Sequence, residues 1–389
     1  MSIEKIYNVF LVFIVSIVFF FLFYIFLVST QLFTSILALI GIIFLIFIFD
    51  KTGLLEKLIA SFLKEKNFSV ITVIILVCIL PFFDRGAYSL HLCILIFLYS
   101  AVVIGLNFQM GMIGMVNFAT AAFFGVGAYT TALVTTNLHI PIFIGILLGG
   151  IIASFFGLFL GIPTLRTRDY YLSLVTIAFQ FIFITLVVNL GFTGGPDGVR
   201  GIPIMSIFGY SFSSPINIYG IKFPYQINFY YLSFGLLLLI LLISNRIYNS
   251  RIGLSWNAIR ENQLAAACQG INLVYAKLLA FSLGALFAGL VGAVYTHYIT
   301  FISPNNFSFN VSLMFICMLI FGGMDSILGI IIGTSILVIL PEKLRGLSEY
   351  SALIYGAIIL IMLIFRPQGL IPKRLRNYSQ FLKTLKKKA

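Results

Sequence analysis

The stretch NSRIGLSWNAIRENQLAAACQGINL, residues 249–273, is a polar island in a chain that is otherwise almost continuously apolar. Ile252, Trp256, Ile259, Ala266 and Ile271 recur at roughly helical spacing, Arg260, Glu261, Asn262 and Gln263 fill one polar turn, and Gly270 is placed to stop a helix. The spacing predicts a short helix lying beneath a membrane. The island holds no residue set for catalysis, so its expected role is to dock a soluble partner.

Hydrophobic residues make up 61% of the chain and charged residues 9%, more apolar surface than a soluble domain can bury. The expected fold class is all-α: a polytopic membrane protein with roughly 10–12 transmembrane helices, each span needing about 20 apolar residues. Candidate spans are Asn8–Val28, Leu32–Phe49, Phe68–Phe83, Leu90–Phe108, Val116–Val134, Pro141–Ile162, Tyr171–Leu190, Phe229–Ile247, Tyr275–His297, Val311–Phe321, Ile327–Leu340 and Ala352–Phe365. The first apolar run lacks a small-residue cleavage pattern and reads as a retained helix. Cys78, Cys93 and Cys317 lie in apolar spans and Cys268 in the island, without CxxC or Cys/His pairing, so no metal site is expected.

The chain carries a net charge of +13, and its distribution orients the spans. Short loops rich in Lys and Arg stay cytoplasmic, and four such segments alternate onto one face: Lys51 to Lys66, Arg166 and Arg168, Arg246 to Arg260, and the tail from Lys373 to Lys388. Both termini are expected in the cytoplasm. The charge is a topology signal and an attraction to anionic lipid headgroups. Nucleic acid is not expected as a partner, because the basic residues are dispersed over loops and a short tail. On the opposite face, the longest loop, residues 191–227, opens with GFTGGPDGVRGIP, where Gly194, Gly195, Asp197 and Gly198 form a dense turn cluster. That cluster reads either as a plain surface turn or as a receiver for a substrate-delivery protein.

Two segments look like broken helices. Residues 104–129, IGLNFQMGMIGMVNFATAAFFGVGAY, intersperse glycines with Asn107, Gln109, Asn117 and Thr120, and residues 319–335, LIFGGMDSILGIIIGTS, place Gly322 and Gly323 before Asp325. Irregular backbone at membrane depth is tolerated where protein walls a cavity, and transport paths commonly run there. Asn107, Gly111, Gly114, Asn117, Gly322 and Gly323 are therefore the candidate translocation path. Small residues also pack helices closely without any transport role, and taken singly the glycines favour that reading. Asp325 is expected at a cytoplasmic turn, and His297 at the external end of its span.

No GxxxxGK[ST] loop is present to cradle nucleotide phosphates, no HExxH or GxSxG occurs, and no series of buried acids could relay protons. The chain is thus expected to be no enzyme, to bind no cofactor and to borrow work from another subunit. An autonomous ion-coupled carrier or channel is the rival class, and a membrane-embedded enzyme has no visible catalytic cluster.

At this point AIRENQLAAACQGI (258–271) resembles the cytoplasmic loop of the branched-chain amino acid permease subunits of bacterial ABC importers, of the LivM type. The similarity continues in GLNFQMGMIGMVNFATAAFFGVGAY, RTRDYYLSLVTIAF, TGGPDGVRGIP, AKLLAFSLGALFAGLVGAVYTHYITFISPNNFSF and RPQGLIP, roughly from Leu90 to Pro372. The resemblance implies a multi-pass permease of the bacterial plasma membrane that moves leucine, isoleucine or valine inward. Importers of urea and short amides have much the same subunit and are the alternative. Implied partners are a sister permease of the LivH type, two ATP-binding subunits of the LivG and LivF types that hold ATP and Mg, and an extracytoplasmic binding protein.

By the family's pattern Arg260, Glu261, Ala265, Ala266 and Gly270 lie on or beside a coupling helix that seats in a groove of an ATP-binding subunit. The organisation implied is an N-terminal part (1–67), a permease domain (68–372) containing the external loop and the coupling loop at 249–274, and a basic tail (373–389). The chain departs from the pattern at Asn262 and Gln263, where acidic residues are commoner, and in GGMDS, which stands for a more usual GGLGS-like turn.

Overall fold

The computed structural model describes residues 3–28, 66–83, 86–164, 169–207, 210–218 and 221–343, with position 41 and a few positions between 353 and 371. Among these residues the chain is almost wholly helical. Helix α1 spans Ile3–Val28, α2 Lys66–Phe83, α3 Ala87–Asn107, α4 Thr120–Asn137, α5 Ile142–Thr164 and α6 Asp169–Asn189. After them come α7 Gln226–Tyr248, α8 Arg251–Glu261, α9 Gln263–Cys268, α10 Leu273–Ile299, α11 Phe309–Gly322 and α12 Ile327–Lys343. A π-helical turn, Phe108–Met112, prolongs α3. Between α6 and α7 lie two short antiparallel pairs, β1 (Ser206–Ile207) with β2 (Tyr210–Ser211), and β3 (Ile216–Ile218) with β4 (Ile221–Phe223).

Among the described residues, six helical stretches are long and apolar enough to cross a membrane: Ala87–Met112, Ile142–Ile162, Tyr171–Asn189, Gln226–Tyr248, Leu273–Ile299 and Pro304–Gly322. The protein is an all-α polytopic membrane protein. The candidate span Leu32–Phe49, nearly all of Ala352–Phe365 and the basic tail lie outside the described residues. Most remaining span ends agree within a few residues. The larger differences are at two starts: α1 begins at Ile3 and not Asn8, and the chain runs irregularly from Ile113 to Ala119, so that α4 begins at Thr120 and not Val116.

Two compact units divide the chain, with boundaries inside α3, α7 and α12. In the unit formed by residues 1–93, 215–231 and 339–348, α1 packs on α2, and the interest lies in how α2 tolerates Pro81. Proline has no N–H, so the carbonyl four residues earlier, that of Val77, loses its helical donor. The buried Tyr230 hydroxyl donates to that carbonyl at 2.7 Å, and the Tyr231 hydroxyl donates to Cys78 O at 3.0 Å. Lys343 Nζ likewise donates to the Leu27 carbonyl at the C-terminal end of α1, at 2.9 Å.

In the unit formed by residues 94–214, 232–338 and 349–389, α10 packs most extensively against α5 and α4, and α4 also meets α5. The helices approach until backbones touch. A Cβ on Gly127 would collide with the backbone of Gly289, and one on Gly292 would strike the Phe124 carbonyl. Thr131 Oγ1 donates to the Gly145 carbonyl at 2.9 Å, and Ser154 and Ser282 share a hydrogen bond of 2.7 Å. Without a hydrophobic difference between helix surface and lipid tails, small residues and short polar contacts are what hold such helices together.

The start of α4 follows the same logic. A helix N-terminus leaves four N–H groups without intrahelical partners, and here side chains take up those of Ala119, Ala121 and Ala122, along with that of Phe118 just before the cap. Phe118 N–H donates to Thr176 Oγ1 at 3.1 Å, Ala119 N–H to Asn117 Oδ1 at 2.8 Å, Ala121 N–H to Ser312 Oγ at 2.9 Å and Ala122 N–H to Gln180 Oε1 at 2.8 Å. Gln180 also donates through Nε2 to the Phe307 carbonyl at 2.7 Å and accepts from Ser312 at 3.0 Å, so α4, α6 and α11 meet at one side chain.

Two stability measurements follow from this packing. Gln180→Leu keeps the volume but strands a buried N–H and a buried carbonyl, and should lower stability by roughly 2–4 kcal/mol, read as a fall in the thermal midpoint of the detergent-purified protein. Tyr230→Phe should cost about 1 kcal/mol, and less in a Pro81→Ala background, where the backbone N–H restored by the substitution supplies the missing donor. Equal losses in both backgrounds would mean that Tyr230 does not compensate for the proline.

Candidate functional site

The polar island folds as two short helices. Ser250 caps α8, its side chain accepting from the Ile252 and Gly253 N–H groups, and Asn262 caps α9 by accepting from the Ala265 N–H. Extended backbone at Asn262 separates the two, so the one helix expected becomes a helix, a joint and a second helix. Gly270, at φ +79°, stops α9 as the spacing predicted. The apolar face points inward: Trp256 and Ile259 are buried, and Trp256 Nε1 donates to the Ala276 carbonyl at 2.9 Å. Glu261, Leu264 and Ala265 are exposed, Leu264 at 80%, while Ala266 is buried.

Arg260 parts company with Glu261. Its side chain turns toward the π-helical turn, packs its Cγ under Gly114 and donates through Nη1 to the Gly111 carbonyl. The break in the helix explains why that carbonyl needs a donor. Beyond Met112 the regular hydrogen-bond ladder ends, and the Met115 N–H folds back to the Gln109 carbonyl at 2.7 Å. A guanidinium at the C-terminal end of a helix also meets the negative end of its dipole. Phe108, fully buried on the same turn, packs its ring against Trp256 at a centroid distance of 5.5 Å.

The second glycine break reaches the same place. Asn107, fully buried, donates through Nδ2 to the Tyr248 hydroxyl and accepts at Oδ1 from the Asp325 N–H at 2.8 Å. Asp325 lies in the turn between α11 and α12 at φ +70°. L-residues rarely adopt that conformation, and Asp tolerates it better than most. That explains why a GGLGS-like turn carries glycine at this position. Gly111 lies so near that an added Cβ would strike Asn107 Oδ1 and come within 3.1 Å of the Asp325 nitrogen. On the other side of the turn, the Leu370 N–H donates to the Phe321 carbonyl at 2.9 Å, the Ile371 N–H donates to the Gly322 carbonyl at 3.2 Å, and Gly369 abuts Gly323.

Of the six candidate path residues, Asn107, Gly111, Gly322 and Gly323 thus gather around one turn. Gly114 lies on Arg260. Asn117 stands apart, paired with Gln109, whose Nε2 donates to the Phe281 carbonyl at 3.3 Å. Both asparagines are buried and hydrogen-bonded; Asn107 ties the two broken segments to one another, while Asn117 ties the first segment to itself across its break. Tyr248 and Phe108 are the members of this cluster that sequence reading missed; Tyr248 stands directly before the island, where the helical spacing was not extended to it. Among the described residues, no group of three or more His, Cys, Asp or Glu could hold a metal ion.

The turn cluster at Gly194 to Gly198 is folded back on the exit of α10. Gly194, Gly195 and Gly198 all have positive φ, and Val199 pairs with Ile302 as an antiparallel bridge. Asp197 and Arg200 remain exposed, Arg200 over the Phe301 ring at 5.6 Å. His297 is at the end of α10 as expected but fully buried, its Nδ1–H donating to the Pro203 carbonyl at 2.7 Å.

Residues 88–365 match the family model described as branched-chain amino acid transport system / permease component. The chain is 32% identical to the high-affinity branched-chain amino acid transport system permease protein LivM of Salmonella typhimurium over 332 residues, 82% of this chain and 78% of the relative. The Escherichia coli K12 LivM matches equally, at 32% over 333 residues. The LivH permease of the Salmonella system is 25% identical over 289 residues, 70% of this chain and 91% of that one. No solved structure matches the chain. A family match over residues 88–365, together with 32% identity to LivM over 82% of the chain, assigns this chain to the family of permease components of branched-chain amino acid transport systems, as a LivM-type member.

Proposed function

We propose that this chain is the membrane-spanning permease subunit of a binding-protein-dependent ABC importer and carries leucine, isoleucine or valine into the cell. The observation that supports this most directly is the family match over residues 88–365, joined to the LivM and LivH names of its relatives. The sister permease is of the LivH type, ATP and Mg are held by two subunits of the LivG and LivF types, and an extracytoplasmic protein delivers the substrate. The basic loops support a cytoplasmic position for the island and both termini, in the plasma membrane of a bacterium. Urea or a short amide is the alternative cargo.

The exposed part of the island is suited to receiving the ATP-binding subunits. Glu261 and Ala265 stand free of the helical bundle, and Leu264 presents an unusually bare apolar side chain beside them. A rigid helix seated in a groove can transmit closure of its neighbour as a rigid-body shift. The external turn around Gly194, Gly195, Asp197 and Gly198, held in shape by its bridge to Ile302, is the counterpart for the binding protein.

Reconstitution of the assembled complex in proteoliposomes tests the reading. Uptake of radiolabelled leucine should require ATP and vanish when the ATP-binding subunits are catalytically dead; flux by this chain alone would overturn it. Glu261→Lys should leave membrane insertion intact while reducing the ATPase stimulation caused by loaded binding protein. Gly270→Pro should do the same, because proline cannot adopt the positive φ found there. A cysteine at position 261 should crosslink to an ATP-binding subunit.

A further inference from the structure

We infer that Arg260 is the positioning residue through which α8 and α9 act on the broken helix, an inference that rests on the importer reading above. Position alone would make Arg260 a docking residue like Glu261, its neighbour in the polar turn. Its side chain faces the other way, against Gly114 and onto the Gly111 carbonyl. Trp256, one turn earlier on the same face, holds α8 both to the π-helical turn through Phe108 and to α10 through the Ala276 carbonyl. With two anchors on one face, α8 and the π-helical turn move as a single body.

That body does not end at Gly111. Asn107, one residue before the π-helical turn, accepts from the Asp325 N–H at 2.8 Å, so displacement of the turn reaches the junction of α11 and α12. The route is short: the guanidinium, one helical turn of backbone, one amide side chain and the GGMDS turn. Each contact is a directional hydrogen bond between buried or half-buried groups, which transmits a shift where a solvated ion pair would give way. The exposed residues of α9 receive the partner, and Arg260 passes the movement inward.

The test uses the complete complex, with Arg260→Met, which keeps the aliphatic stem and removes the donors, Arg260→Lys, which restores a donor of similar reach, and Asn107→Ala, which cuts the next contact. Readouts are co-purification of the ATP-binding subunits, thermal midpoint, ATPase stimulation by loaded binding protein, and leucine uptake. Arg260→Met should retain its partners while stimulated ATPase and uptake fall roughly 5- to 150-fold, the range of ordinary coupling energies. Arg260→Lys should recover most of both, and Asn107→Ala should reproduce the loss.

Uptake by Arg260→Met at the wild-type level would overturn the inference, as would loss of its partners, which would make Arg260 a docking residue. Losses that merely follow the thermal midpoint across all three variants would reduce Arg260 to a static cap and overturn it equally. Should Arg260→Met fail to insert into the membrane or to fold, Asn107→Ala decides by the same readouts. Absence of ATP-dependent uptake in the wild-type complex would instead defeat the importer reading.

Discussion

A backbone carbonyl or N–H within the bilayer needs a partner from the protein itself, because hydrocarbon offers none. The rest of this structure can be read as the working out of that constraint. Where helices run unbroken it is met by their own ladders. Where the chain departs from a helix, at Pro81, between Ile113 and Ala119 and around Gly323, side chains from other elements supply what the backbone lacks. Tyr230 serves Val77, Gln180 and Ser312 serve the start of α4, and Arg260 serves Gly111. Each irregularity is therefore also a tie between elements distant in sequence.

These ties explain how several separately conspicuous motifs can belong to one function. The GLNFQMG stretch, the AIRE turn, GGMDS and QGLI are far apart in the chain, yet Asn107, Arg260, Asp325 and Leu370 meet around one turn. The chemistry they share is hydrogen bonding to main-chain groups. The arrangement ties four separate stretches of the chain into one junction.

Much of this was legible beforehand. Mean apolarity and span length revealed an all-α membrane protein because both are set by the solvent, and Gly270 ended its helix because only glycine is at ease at that positive φ. The polar island was visible for the same reason. What periodicity could not supply was direction: Arg260 and Glu261 are adjacent and equally charged in magnitude, and only the fold places one beneath Gly114 and the other in the open. The break after Met112 was likewise expected from its glycines, but not that it would be closed by Asn107 and Asn117 instead of being left open. Asp325 was puzzling as a departure from glycine until its φ of +70° showed what the turn requires. Tyr248 escaped notice because one tyrosine among 19 carries no signal.

The contact of α4 with α5 and α10 through bare backbone has a bearing on how this unit can move. Gly127, Gly289 and Gly292 leave no room for even a methyl group, so this trio cannot drift in volume and cannot hinge internally. Flexing within the unit is thereby driven outward to the helices that flank the trio. Three helices locked by the smallest side chain form a fixed keel within this unit.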